Sequence, residues 1–458
     1  MTSRFELTRG IMPRMIESDS GEGIPRKGRV MKWQDEYQSK LMSAAEAASR
    51  IHDGDRVWIS PCCGTPIDVV SALQDRAMGL NGVHLYSGQM LVPFDFLKEG
   101  AKYKPHLAYH TVFFGTLERK LVKGGNIDIN SAEFSQLDTI LEDVCNINAV
   151  MADVSAPDED GYMSLGPMGV CITPKAFELA DLKIVQVNKL QPPVNGSHTK
   201  VHVSEVDCIV EGDHALPDLP QAPATEIDRK IADLLCDEIP DGSTIQLGLG
   251  GLANAIGYGL TKKHNLSIRA EMISNSTIDL VEQGAVTGPI KVALAIGSAD
   301  LYKWAADHVE FAPFWEINNP YEVRKTPGMV SINQCLMCDL TGQVCSESVG
   351  YRQVSGIGGQ VDFVRGASES EGGKSFLCLS STSEVNGQMI SNIVVGLPEG
   401  SVVTTPRKDV MYVATEYGIA NLKNRSISDR VNAMISIAHP DFRDGLRKKA
   451  IEVGLIQE

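Results

Sequence analysis

The sequence predicts two similar tandem α/β domains with mostly parallel sheets. Three observations carry that reading. Residues 53–72 (DGDRVWISPCCGTPIDVVSA) and 241–260 (DGSTIQLGLGGLANAIGYGL) share one pattern: an Asp-Gly turn, a four-residue strand, a loop of small residues and an amphipathic run. Their offset of 188 residues is the size of a domain, so duplication is the natural reading. Strand-like runs at 149–151, 184–187, 292–295 and 376–379 alternate with helical ones, which points to helix-covered parallel sheets. At 458 residues the chain also exceeds what one ordinary core holds.

Taken in order, residues 1–35 are polar and of mixed charge, without the apolar region of a signal peptide, and read as a mobile leader. Residues 36–210 form the N-terminal domain, with a helix-like stretch from Ser43 to Ile51 ahead of its first turn. Residues 211–224 read as a linker, because Pro217, Pro220 and Pro223 fall within seven residues. Residues 225–458 form the C-terminal domain, which opens on a helix-like stretch from Thr225 to Glu238 and carries the chemistry. The first domain is expected to cover its crevice.

Bulk properties exclude several classes. With 42 Lys+Arg against 58 Asp+Glu the net charge is −16, which suggests no basic face for nucleic acid. No apolar run approaches the ~20 residues of a membrane span. Ten cysteines without a secreted-domain spacing favour reduced thiols and a cytoplasmic setting. Cys335 and Cys338 lie on an extended segment, where residues three apart point to opposite faces, so a shared redox or zinc site is not expected. Cys62 and Cys63 follow a strand with no base nearby. The ten histidines form no H-x-x-x-H or H-E-x-x-H cluster, and no metal is expected.

The candidate site lies in the second half. The strand-like run Thr244–Leu247 leads into Gly248-Leu249-Gly250-Gly251, and the run Leu266–Ala270 ends at Glu271. In parallel α/β sheets the loops after strand C-termini form the site. Two adjacent strands then deliver a nest of N–H groups and a carboxylate to one crevice, as an acyl-transferring nucleophile with oxyanion donors requires. A second glycine cluster, Ser355 to Phe363, precedes Glu371-Gly372-Gly373-Lys374, so two loops could aim donors at one oxygen from opposite sides. One rival is a dinucleotide fingerprint, Gly248-x-Gly250-x-x-Ala253, with Glu271 where a ribose-binding acid would fall. The equivalent first-half loop, Ser60 to Thr65, lacks that fingerprint, and a polar stretch rather than a new helix follows Glu271. Another rival has the glycines serving only close packing, with Glu271 solvated.

The chain resembles the acetyl-CoA hydrolase/transferase group of class I CoA-transferases. The matching blocks run from about residue 38 to 447: PDEDGYMSLG (157–166), VQVNK (185–189), LGLGGLANAI (247–256), EMIS (271–274), VSIN (330–333), GIGGQVDFVRGA (356–367), TTPR (404–407), TEYGIA (415–420) and ISIAHPDFR (435–443). The resemblance implies ping-pong transfer of coenzyme A between carboxylic acids, with Glu271 as the catalytic glutamate. It implies contact with coenzyme A for Gly248, Leu249, Gly250, Gly251 and Leu252, with the Leu249 N–H as one oxyanion donor and Gly359 as the other. Ser355 stands where some relatives carry Asn against coenzyme A, and Asn333 fits an amide near the thioester, unless it is only a core strand amide.

There are departures around the site. Relatives commonly read His-Ser-Glu-Met and then Ser-Asp-Gly; here Arg269-Ala270-Glu271-Met272 precedes Ser274-Asn275-Ser276. Where many carry Ser-Lys-Gly-Gly, this chain has Ser370-Glu371-Gly372-Gly373, which leaves Lys374 as the local cation for coenzyme A. Expected partners are an acyl-CoA and a small carboxylic acid, with coenzyme A as substrate and no tightly bound cofactor. Family members handle acetate, butyrate, 4-hydroxybutyrate and small dicarboxylates such as succinate or itaconate. The N-terminal half, with Gly64 in its equivalent loop, is expected to border the acyl pocket; Arg269 would suit a dicarboxylate, or is simply a surface arginine. A homo-oligomer is a family expectation. An acyl-CoA hydrolase using the same glutamate, or a silent CoA-binding protein, are the alternatives.

Overall fold

The repeated Asp-Gly turn is built the same way twice. In a computed structural model that describes residues 32–219 and 222–457, Asp53 accepts the Asn81 N–H at 2.9 Å while the Gly54 N–H reaches the Asn81 carbonyl at 3.0 Å. In the second half Asp241 accepts the His264 N–H at 2.9 Å, and the Gly242 N–H reaches the His264 carbonyl at 2.9 Å. Both glycines hold a positive φ, 80° and 78°, which a side chain would strain. Each clasp ties the start of one strand to the start of its neighbour. Helices capped by Ser43 and Thr225 precede the two turns, each cap reinforced by an acid three residues on, Glu46 and Asp228.

Two sheets result. The first has seven parallel strands in the order Cys208–Glu211, Leu182–Val187, Ala149–Val154, Arg56–Ile59, Val83–Ser87, Leu107–Thr111 and Ile127–Ile129. The second repeats that order: Tyr412–Thr415, Lys374–Cys378, Met329–Gln334, Thr244–Leu247, Leu266–Ile273, Val286–Ala295 and Glu310–Phe311. It adds an antiparallel edge strand, Gly418–Asn421, beyond Tyr412–Thr415. It also borrows Asn195–Gly196 from the first half, paired with Glu310–Phe311 at the other edge. The central strands are rich in Val, Ile and Ala and mostly buried, as sheets covered on both faces require.

The two halves share one core. Phe134 stacks on Phe314 with centroids 4.4 Å apart, and the Phe314 N–H reaches the Cys171 carbonyl at 2.8 Å. The carboxylate of Glu133 meets Arg365 at 3.0 Å, and Asp362 accepts the Ser135 hydroxyl at 2.6 Å. The C-terminal ends of both sheets consequently open onto one cleft. Residues 1–31 of the presumed leader lie outside the described residues, and the helix Trp33–Lys40 takes up its last three positions. Between Glu211, which ends its strand, and Thr225, the described residues form no regular element.

Candidate active site

Three parallel neighbours bring the predicted residues together. Thr244–Leu247 lies between Met329–Gln334 and Leu266–Ile273. The glycine loop, Asn333 and Glu271 therefore emerge at one edge. Alternation along Leu266–Ile273 buries Leu266, Ile268 and Ala270 on one face and turns Arg269 and Glu271 to the other.

Gly248, Leu249, Leu252, Glu271, Asn333, Ser355 and Gly359 all line one cavity of about 230 Å³. Asn333 and Gln246 exchange amide hydrogen bonds at 3.1 and 3.2 Å across their strands, so Asn333 is both a strand amide and part of the wall. Gly250 and Gly251 do not line the cavity. Gly250 turns the chain with φ 108° into the helix Gly251–Gly259. A Cβ on Gly251 would press on Asp228 and the Pro223 carbonyl, so that glycine admits close packing.

Glu271 is held from two sides. Asn318 donates its amide to the carboxylate at 3.3 Å. Gly359 stands at the start of the helix Gln360–Glu369, and its N–H also favours the charged form. Burial works against both and pushes the pKa up to about 7. Gly359 has an ordinary φ of −95°, so conformation does not demand glycine there. Space does: a Cβ would run into the Glu271 carboxylate and the Asn318 amide.

Sequence reasoning missed Asn318. It follows the short helix Phe314–Ile317 and is fully buried, but nothing in the run Trp315 to Pro320 marks it as different from a turn asparagine. It also missed Asp362, a buried acid bonded to Ser135 N–H and hydroxyl, whose pKa burial pushes up to about 7 with Glu133 and Glu271 adding to the shift. Phe113, from the first half, closes the cavity against Gly356 and Gly358, whose absent Cβ atoms would touch its ring or backbone.

Comparison with known proteins agrees with this architecture. Residues 25–218 match the acetyl-CoA hydrolase/transferase N-terminal domain and residues 297–450 the corresponding C-terminal domain. The chain is 37% identical to a 4-hydroxybutyrate coenzyme A transferase of Clostridium kluyveri, over 91% of this chain and 98% of that one. The chain belongs to the acetyl-CoA hydrolase/transferase family. A butyryl-CoA:acetate CoA-transferase of Anaerostipes caccae is likewise 37% identical over 92% of this chain and 98% of its own length. Among solved structures, RipA from Yersinia pestis superposes with a TM-score of 0.86 at 30% identity, covering 93% of this chain and all of that one. Glu271 and the loop from Gly248 to Leu252 fall between the two matched family domains.

Three expectations drawn from the family resemblance, or set beside it, are corrected by the geometry. Lys374 opens its strand, at the end remote from the cleft, and its ammonium is engaged by the Glu238 carboxylate and carbonyl at 2.8 Å. It does not line the cavity. Gly64 is tucked behind its loop against Ser60 and Gly169, whereas Pro61 of the same loop reaches the cleft. Arg269 is neither a surface arginine nor a cleft cation, because its half-buried guanidinium donates to the Glu316 carbonyl at 2.6 Å.

Proposed function

We propose that this protein transfers coenzyme A from a short acyl-CoA to a small carboxylic acid through a covalent glutamyl-CoA thioester on Glu271. One observation supports this most: a carboxylate poised near neutrality faces a cavity edged by the glycine loop on one side and Gly359 on the other. A pKa of about 7 leaves a large ionised fraction at neutral pH while keeping the oxygen basic.

The chemistry follows from that placement. The Glu271 carboxylate attacks the thioester carbonyl, the C–S bond breaks, and CoA leaves as thiolate, giving a mixed anhydride. The thiolate then attacks the glutamyl carbonyl and expels the first acid as its carboxylate. The acceptor acid reverses both steps. Main-chain N–H groups of Leu249 and Gly359 take the developing oxyanion. A carboxylate suits this task because anhydride and thioester are both activated, whereas a serine ester would trap the acyl group. Asn318 steadies the same carboxylate between steps. Acyl-CoA and acid are the small-molecule partners, and the ten free cysteines suit a reducing cytoplasm.

The test is direct. The protein is incubated with acyl-CoA alone, reduced with borohydride and mapped by mass spectrometry. A reduced adduct at Glu271 is expected. An adduct at Cys63, or none during turnover, would overturn the reading.

A further inference from the structure

Glu271 does not face one cavity only. It and Met272 also line a second chamber, which no residue of the glycine loop lines. Phe113 stands between the two and contributes to both. If coenzyme A enters beside the glycine loop, the acyl group attached to the reacting carbonyl must lie on the other side of the carboxylate. We propose that this second chamber seats the acyl chain and restricts the enzyme to short, uncharged aliphatic acids, rejecting dicarboxylates. The inference rests on the CoA-transferase reading above.

The walls carry the argument. They come from both halves: Trp58, Phe134, Leu137 and Ile172 from the first, Leu294 and Phe314 from the second. Trp58 and Leu137 are fully buried, and the stacked pair Phe134–Phe314 closes the chamber across the junction. Apart from Glu271, no charged side chain lines the chamber among the described residues, and Gln89 and the Cys171 thiol are uncharged polar groups in its wall. Arg269, the cation nearest in sequence, does not line the chamber and donates one guanidinium N–H to the Glu316 carbonyl. A second carboxylate on the acyl chain would lie buried without a counter-ion and close to the negative Glu271. Desolvation and like charge both oppose that.

Size sets the chain length. The free volume is only about 30 Å³, against the roughly 10–15 Å³ that a single water needs. Carbon groups are bulkier than water, so the chamber favours short acyl chains, no longer than butyryl. Longer chains require the aromatic pair to move.

The experiment follows consumption of propionyl-, butyryl-, hexanoyl- and succinyl-CoA by the full-length protein, with and without acetate. Acyl selectivity tests the chamber, because the acyl group must seat whether acid or water is the acceptor. Dependence on acetate tests the transferase reading separately. Butyryl-CoA should exceed succinyl-CoA at least about 100-fold in kcat/KM, since an unpaired buried charge is excluded more strongly than a methylene, which alone commands about tenfold or more. Comparable values for the two would overturn the proposal. In Phe134→Ala the hexanoyl-to-butyryl ratio should rise at least about tenfold, and in the milder Val112→Ala, at another residue of the same wall, it should rise less. Folded variants with an unchanged ratio would also overturn it.

Discussion

Two loops occupy the same place in the two sheets and meet opposite fates. Ser60 to Thr65 follows its strand as Gly248 to Gly251 follows the equivalent one. The first loop is wholly buried: it winds into a 3-10 turn whose Gly64 packs on Ser60 and Gly169, and burial pushes the Cys63 thiol up to about 12. The second stays partly open, and a Cβ on Gly248 would meet nothing within 4 Å. Neighbouring strands differ as well. In the second half the neighbour carries Glu271 to the cleft, whereas in the first it leads into Gly88 and Gln89, which wall the second chamber. A duplicated scaffold supplies the crevice twice, but chemistry needs an unfilled loop beside an acid. The other copy supplies walls of both cavities.

The sharpest way to break this comparison is to add one methyl group to each half. Gly359→Ala drives a Cβ into the carboxylate of Glu271 and the amide of Asn318, both side-chain ends near the cavity. The fold should survive, while kcat drops about 10²–10³-fold, because misplacing a reacting group by an ångström forfeits that much. Gly64→Ala instead presses on Ser60, whose hydroxyl is already held by Thr173 at 3.1 Å. That variant should lose about 1–3 kcal/mol of stability by overpacking and keep its kcat. Denaturation curves and initial rates on both proteins decide the matter. The contrast collapses if Gly64→Ala is the one that loses turnover.

The strain of holding an acid in the second crevice is itself measurable. Glu271 has a folded-state pKa of about 7 against its ordinary 4.5. As pH rises the unfolded chain therefore ionises first, so the folded state is penalised increasingly between those values and fully above pH 7. Glu271→Gln removes the penalty. It should be more stable than the parent by about 3 kcal/mol at pH 8 and match it near pH 4, where the acid is largely protonated in both states. Equal stability at both pH values would show that the carboxylate is not desolvated as described.

Asn318 gives a smaller effect of defined sign. Its amide favours the charged form of Glu271, so Asn318→Ala should raise that pKa further. In the parent, kcat/KM should climb with pH and level off above about 7. In the variant the rising limb should shift to higher pH by about one unit, the scale of a hydrogen bond to a charged group. A limb that stays put would remove Asn318 from the account.

Much of this was legible beforehand because it rests on local rules. The Asp-Gly turns, the helix-like stretches starting at Ser43 and Thr225, the period of the strands and the 188-residue repeat each follow from short-range chemistry. Glu271 and the glycine loop could be paired because adjacent strands of a parallel sheet share an edge. Asn318 could not be found that way. It arrives from a turn 47 residues after Glu271, and its role depends on how Phe314–Ile317 packs, which is decided by contacts with Cys171 and Phe134 in the other half. Asn195–Gly196 is similar: a two-residue strand has no periodicity to read, yet it completes the partner sheet. Lys374 shows the opposite failure. The family resemblance made Lys374 the local cation for coenzyme A, but strand direction places it at the end remote from the cleft.

That failure yields the smallest prediction and a useful control. Lys374 begins a strand whose far end points to the cleft, and its ammonium is engaged with Glu238 in a half-exposed pair. Pairs of this kind contribute about 0–1 kcal/mol. Lys374→Ala should therefore leave kcat and the KM for acyl-CoA within about twofold of the parent, with stability lowered by less than about 1 kcal/mol. Glu371→Lys, which restores the cation common among relatives, should be equally silent, because Glu371 sits in the turn just before the same remote strand end. A tenfold rise in KM for Lys374→Ala would mean that coenzyme A reaches around the sheet edge. The comparison between the two loops would then have to include the opposite face of the second half.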